Sequence, residues 1–452
     1  MFAKALSFPM SNYISSAFCV IPWIHRHTDE QGFHKLCCIA DGPQNDLRNR
    51  GGERLHVSQK LTDADVLNSP VMNSTRLKML RDEWPIACLR CQQTEEAGGE
   101  SGRQFLNQRF NNGTYEALVA GTASDGTIQN PTVRYSDIRL GNVCNLTCRM
   151  CGPIASRLWV PHFNSVQPKA YRIPAEELKV LGQNNWVKHE SVGWLLEQSL
   201  PHVEALHFAG GEPLILPEMV EALETCVRSG RAGEIELSYN TNMTVLPEKV
   251  TSLWHNFKSV SILCSIDGFG RMTEYIRRPS KWSDLDRNLH LLDENFERWK
   301  IKWATITCTT QIYNVLNVDQ LFHYLRTAGF KHITAIPQLM PLYYPQYLSI
   351  QALPASAKSV ARERLELEIQ RAEALNIPGL AGPIGSIRST IGFMDEADTT
   401  SDLADFLSFC ESSDKVFGDS WREAAPELAE QLDANPIPKA RGLAALLERF
   451  GA

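Results

Sequence analysis

From Thr132 onward the 452-residue chain alternates short β-rich runs with longer helical patterns, and no other feature constrains its fold as much. The β-rich runs are 133–140 (VRYSDIRL), 203–209 (VEALHFA), 234–240 (EIELSYN), 259–266 (SVSILCSI), 300–310 (KIKWATITCTT) and 332–338 (HITAIPQ). Helical patterns such as 216–230 and 284–299 lie between them. A helix between successive strands predicts a parallel sheet with right-handed crossovers. Six such units predict an α/β fold with a partial (β/α)6 TIM-like barrel, whose chemistry sits at the C-terminal ends of the strands.

The flanking regions read differently. Residues 1 to about 110 predict short strands and loops around cysteines, with turn signals at 41–43 (DGP) and 50–54 (RGGER). The Gly/Asn/Thr/Ser-rich stretch 111–131 reads as a linker, or as a loop over a surface. Residues 355–375 have helical spacing and good helix formers, and the last hundred residues carry no dense chemical motif. The expected organisation is therefore a cysteine-rich domain over 1–110, a linker over 111–131, a core over 132–345 and a helical region over 346–452.

Composition excludes several classes. The chain is 43% hydrophobic and 21% charged, as ordinary soluble proteins are. A net charge of −7 gives no support for non-specific nucleic-acid binding, which needs a basic surface. No apolar run is long enough for a membrane span. Pro9 and the polar stretch Ser11 to Ser16 interrupt any signal-like apolar segment, so a cytoplasmic location is expected. In reducing surroundings, twelve cysteines point to metal or catalysis rather than disulfides. Seven fall into two groups; Cys38, Cys226, Cys264, Cys308 and Cys410 are scattered.

The first group, Cys144, Cys148 and Cys151, lies in 137–153 (DIRLGNVCNLTCRMCGP) with spacing Cys-x3-Cys-x2-Cys. Three thiolates on one loop can ligate three irons of a cubane and leave the fourth open to a small chelating molecule, much as a catalytic zinc keeps an open position. Three free cysteines, or a zinc site lacking a ligand, are the alternatives. Residues 207–213 (HFAGGEP) end the second strand, where Gly210 and Gly211 allow close backbone approach and Glu212 offers an acceptor for an ammonium. Asn240 and Asn242 share a face at the end of the third strand, as Ser265 and Asp267 do at the end of the fourth. Turn chemistry is the plainer explanation for such residues, and Asp-Gly is itself a turn signal.

The cysteine loop after a first strand, followed by GGEP, resembles the radical S-adenosylmethionine (SAM) superfamily. That resemblance implies a [4Fe-4S] cluster on Cys144, Cys148 and Cys151 whose open iron is chelated by the amino and carboxylate groups of SAM. It implies that the reduced cluster cleaves SAM to methionine and a 5′-deoxyadenosyl radical, which takes a hydrogen atom from the substrate. Gly210, Gly211 and Glu212 would hold the SAM amino group. Asn242 and Ser265 would meet its ribose or carboxylate, and Arg277, or alternatively Arg278, would face the carboxylate. One departure is Met150, where the family usually has an aromatic residue; a thioether can fill that space.

The second group is Cys19, Cys37, Cys88 and Cys91, with Gly32 to Cys37 fitting Gly-x4-Cys and Cys88 to Cys91 fitting Cys-x2-Cys. By spacing alone, four thiolates suit a structural zinc as well as a cluster. The arrangement resembles the auxiliary-cluster module of the SPASM/twitch radical SAM enzymes, in the twitch form with one auxiliary [4Fe-4S] cluster. Cys38 is the alternative to Cys37. In familiar members this module follows the barrel, whereas here it precedes it.

The resemblance implies an enzyme, a radical SAM oxidoreductase that dehydrogenates or cross-links a small metabolite or peptide and draws electrons from a donor such as flavodoxin or ferredoxin. No catalytic side chain is singled out. Gln311, Tyr313 and Asn314 are candidates to line a substrate pocket, or else form a polar loop. His25, His27 and His34 are conceivable ligands in the cysteine-rich region. Alternatives are a radical epimerase or methyltransferase, in which Cys264 or Cys308 would donate hydrogen, and a non-enzymatic zinc or iron–sulfur protein.

Overall fold

A computed structural model describes residues 14–435, apart from 41, 97, 98, 112, 114, 185, 189, 190, 376 and 378. Pro9 and Ser11 of the N-terminal segment, Asp41 of the first turn signal and the end of the C-terminal region lie outside the described residues. The chain divides into two units. The smaller runs up to residue 28 and includes 33–137 and 197–203; the larger holds 29–32, 138–196 and the chain from 204 onward.

In the smaller unit, β1 (His25–Thr28) pairs antiparallel with β2 (His34–Lys35). The rest is richer in helix than the expected strands and loops: α1 (Asp63–Leu67), α2 (Pro70–Leu80), α3 (Leu89–Glu96), α4 (Gly102–Phe110) and α5 (Tyr115–Ala120). Local chemistry explains the difference. Thr62 with Asp65, and Ser101 with Gln104, form reciprocal capping boxes that satisfy the first free N–H groups of α1 and α4, and proline occupies the first position of α2. Leu36, Leu47, Leu55, Val66, Leu67 and Met72 make a buried apolar cluster.

The stretch 111–131 contains α5 and a loop packed on α2. Fully buried Arg76 holds that loop, donating to the carbonyls of Gly126 (2.7 Å) and Pro22 (2.6 Å) and to Asn73 Oδ1 (2.6 Å). Gly126 has φ +83°, and a Cβ there would lie 2.4 Å from the Asn73 carbonyl oxygen.

The larger unit is built on a sheet in the order β3 (Tyr135–Arg139, entered from the smaller unit), β4 (Ala205–Ala209), β5 (Glu236–Thr241), β6 (Ser259–Ser265), β7 (Ile301–Thr310) and β8 (Gln338–Pro341). From β4 to β8 every pairing is parallel. Between strands run α6 (Pro217–Arg228), α7 (Arg271–Ile276), α8 (Trp282–Glu294) and α9 (Val318–Thr327), and α10 (Ala355–Ala374), α11 (Ala381–Glu396) and α12 (Leu403–Phe417) follow. This is the α/β architecture of a partial (β/α)6 barrel.

Register sorts the side chains. Leu206, Phe208, Leu237, Tyr239, Ile262, Cys264, Ile306 and Cys308 share one face, and all are buried. His207, Ser238, Asn240, Ser265, Thr307 and Thr309 share the other, which is polar. The last strand differs from expectation, lying at 338–341 rather than 332–338. The first N–H groups of that segment are already taken: Asp293 on α8 accepts from His332 (2.8 Å) and Ile333 (3.0 Å), and from Lys331 (2.9 Å) just before it. Pro337 offers none. A lone bridge, Ala304 to Ile333, is what remains of the pairing there.

Candidate functional site

The loop carrying Cys144, Cys148 and Cys151 leaves the end of β3 and is gripped from several directions. From β4, the Gly211 N–H donates to the Gly141 carbonyl (2.8 Å) and the Glu212 N–H to the Val143 carbonyl (2.9 Å). The contact is so close that a Cβ on Gly210 would lie 2.7 Å from the Leu140 nitrogen, and one on Gly211 2.1 Å from the Val143 oxygen. Gly210 also has φ +114°. The sequence suggested close approach of these glycines to a ligand; the backbone they approach is that of the cysteine loop.

Glu212 is buried, and its carboxylate is occupied. Thr241 Oγ1 (2.8 Å) and the Leu214 N–H (3.1 Å) donate to one oxygen, and the Asn242 N–H (2.7 Å) donates to the other. Burial pushes its pKa up to about 7 despite these donors. Asn242 braces the same loop from the end of β5, donating from Nδ2 to Asn145 Oδ1 (2.9 Å) and accepting at Oδ1 from Thr244 (N–H, 3.0 Å). Asn145 returns a bond to Thr244 Oγ1 (2.8 Å). Ser265 stands half-buried at the end of β6 on the polar face, opposite Thr307.

Arg277, at the end of α7, is buried and ion-paired to Asp267 (2.7 Å). Asp267 also accepts from the Thr309 N–H (2.7 Å), and Asn314 Nδ2 donates to its carbonyl (2.9 Å). The Thr147 and Arg149 N–H groups of the cysteine loop donate to the carbonyls of Arg278 (2.6 Å) and Ile276 (2.8 Å), so the pair stands beside that loop. Arg278 turns elsewhere, to Asp419 (3.1 Å) and across the Phe417 ring (4.5 Å). Burial pushes the Cys144 thiol up to about 12, and the neighbouring Cys151 thiol, then burial, hold the Cys148 thiol well above its usual range.

Arg149, between the second and third cysteines, is a residue the sequence did not single out. Its guanidinium is fully buried, bonds Ser413 and Asp419 (2.7 Å), and lies over the Tyr275 ring (4.2 Å). It fastens the cysteine loop to α12 and the residues after it. Of the other candidates, Tyr313 packs against Tyr275 and Phe406 in the core, and Asn314 supports the ends of β6 and β7. Gln311 is fully buried. Cys264 and Cys308 sit on the apolar face, away from the polar one.

In the smaller unit, Cys19, Cys37, Cys88 and Cys91 line one pocket, together with Arg103; Cys38 does not line it. Burial pushes the Cys88 thiol up to about 12 and those of Cys19 and Cys91 upward as well. Among the described residues, no three His, Cys, Asp or Glu side chains converge closely enough to hold one metal ion. His25 stacks on Tyr135 (4.6 Å between centroids) and His27 Nδ1 lies 3.4 Å from Asp137 Oδ1; neither they nor His34 line the four-thiol pocket.

Residues 138–313 match the family model of the radical SAM superfamily. No curated protein matches the chain. Among solved structures it is similar to native anSMEcpe with bound AdoMet and Kp18Cys peptide, at 18% identity and a TM-score of 0.35, over 54% of this chain and 62% of that one. It is also similar to Streptococcus suis SuiB bound to precursor peptide SuiA, at 14% identity and a TM-score of 0.34, over 64% of this chain and 60% of that one. The chain thus spans less than two thirds of these solved chains.

Proposed function

The chain carries a radical SAM domain over residues 138–313, and on that premise we propose that it is an enzyme oxidising a small metabolite or a peptide by hydrogen-atom abstraction. The observation that carries the reading is the three-thiol loop, held at the strand ends by the GGEP backbone and by Asn242, with the Arg277–Asp267 pair beside it.

The donor set fits a cubane cluster. Cys144, Cys148 and Cys151 would hold three of its irons through their thiolates and would leave the fourth for SAM. Thiols lose their protons on binding metal, and the Arg277 cation favours that loss at Cys144 and Cys148. When bound, the cluster and SAM would supply the one-electron chemistry and the hydrogen-abstracting group. The chain's own residues hold and shield. Glu212 and Asn242 fix the loop at the end of β5. Asn240 and Ser265 offer polar groups on the polar face for ribose or substrate hydroxyls. Asn240 Oδ1 is buried with no hydrogen-bond partner among the described residues, so an acceptor is available there.

The four-thiol pocket fits an auxiliary cluster held by Cys19, Cys37, Cys88 and Cys91. Such a cluster can take the second electron of a substrate oxidation, which favours dehydrogenation or cross-linking over epimerisation. Cys264 and Cys308, the thiols an epimerase would need, sit on the apolar face. Anaerobic reconstitution with iron and sulfide tests the reading: two cubanes give about eight irons per chain. About four irons with one zinc would remove the auxiliary cluster from the account.

A further inference from the structure

We infer that Arg103, together with the N-terminus of α4, raises the reduction potential of the auxiliary group held by Cys19, Cys37, Cys88 and Cys91, making it an electron acceptor. The inference rests on the reading of that pocket as an iron–sulfur site. Arg103 lines the same pocket as the four thiols. It cannot swing away: Nη1 donates to the Phe18 carbonyl (2.6 Å), Nε and Nη2 donate to the Glu95 carboxylate (2.9 and 2.5 Å), and the guanidinium lies 5.1 Å from the Trp84 ring centroid. The Ser101 hydroxyl donates to the same Glu95 carboxylate (2.5 Å), which fixes the counter-ion beside the guanidinium. Arg103 lies in the first turn of the nine-residue helix α4, whose N-cap is Ser101, so the positive end of the helix reaches the same pocket.

A four-thiolate cubane is anionic and becomes more so on reduction. Cations and N–H donors at its sulfurs therefore stabilise the reduced form and raise the potential. Glu95 acts in the opposite sense, since its carboxylate offsets the guanidinium it holds. Arg103 is thus a positioning residue with a counterweight, and the two should move the potential in opposite directions.

The test uses the full chain, reconstituted anaerobically, with iron counted and the auxiliary signal followed by EPR during redox titration. A Cys148→Ala background removes overlap from the other cluster. Arg103→Gln should shift the midpoint negative, Glu95→Gln should shift it positive, and Arg103→Lys should stay near the parent. Unchanged midpoints, or shifts of the same sign in Arg103→Gln and Glu95→Gln with iron intact, would overturn the inference. If Arg103→Gln loses iron, Glu95→Gln against Arg103→Lys reads the same quantity, and a positive shift is again required. A parent chain holding zinc in the pocket would instead remove the iron–sulfur reading, and the inference with it.

Discussion

Gly211 shows how little room the site leaves for a single atom. A methyl group there meets the Val143 carbonyl oxygen at 2.1 Å, and backbone cannot yield as a flexible side chain can. Gly211→Ala should displace the cysteine loop and cost about four irons per chain on reconstitution, as read by iron analysis. A variant with full iron content would show that the loop tolerates the shift. Glu212 makes a different prediction. Its folded pKa, about 7, lies above the ordinary 4.5, so the folded chain holds a proton that the unfolded chain releases first. That contribution is fully present below about pH 4.5 and is lost as pH rises through about 7, amounting to about 3 kcal/mol. Urea unfolding of the metal-free chain should therefore weaken over this range more in the parent than in Glu212→Gln. Equal slopes would show that Glu212 does not titrate there. The sequence placed Glu212 in the site but not its donors, because Thr241 and Asn242 reach it only across the sheet.

At the scale of elements, regular strands were legible and those displaced by side-chain chemistry were not. The run 300–310 became Ile301–Thr310, where alternation from Ala304 to Thr309 sets apolar side chains on one face and threonines on the other. The run at 332–338 has strand-like residues, yet Asp293 captures two of its N–H groups from a helix some forty residues away in sequence. The N-terminal helices were signalled by Thr62-x-x-Asp65 and Ser101-x-x-Gln104, patterns easily passed over among cysteines. The role of α12 was not readable, because its partner Arg149 lies more than two hundred residues earlier and inside the cysteine motif. Arg149→Met should leave Asp419 without its closest cation and destabilise the chain by about 3 kcal/mol in denaturant unfolding. A change below about 0.5 kcal/mol, the range of ordinary surface substitutions, would mean that α12 does not anchor the loop.

At the scale of the whole molecule, the two cysteine groups belong to different units and should be separable. Cys88→Ala should lose about four irons yet still cleave SAM, whereas Cys148→Ala should lose about four irons and the cleavage together. The first group is proposed from the sequence as one site because its motif is contiguous. The sequence left Cys37 and Cys38 undivided because adjacent residues differ only in which way the chain turns them, and of the two only Cys37 lines the pocket. The most direct test of the central claim is 5′-deoxyadenosine formed from SAM by the reduced, reconstituted chain, compared with the same chain carrying Cys148→Ala. The account predicts product from the first and none from the second. Full SAM cleavage by Cys148→Ala, or none by the parent with its iron complete, would contradict it.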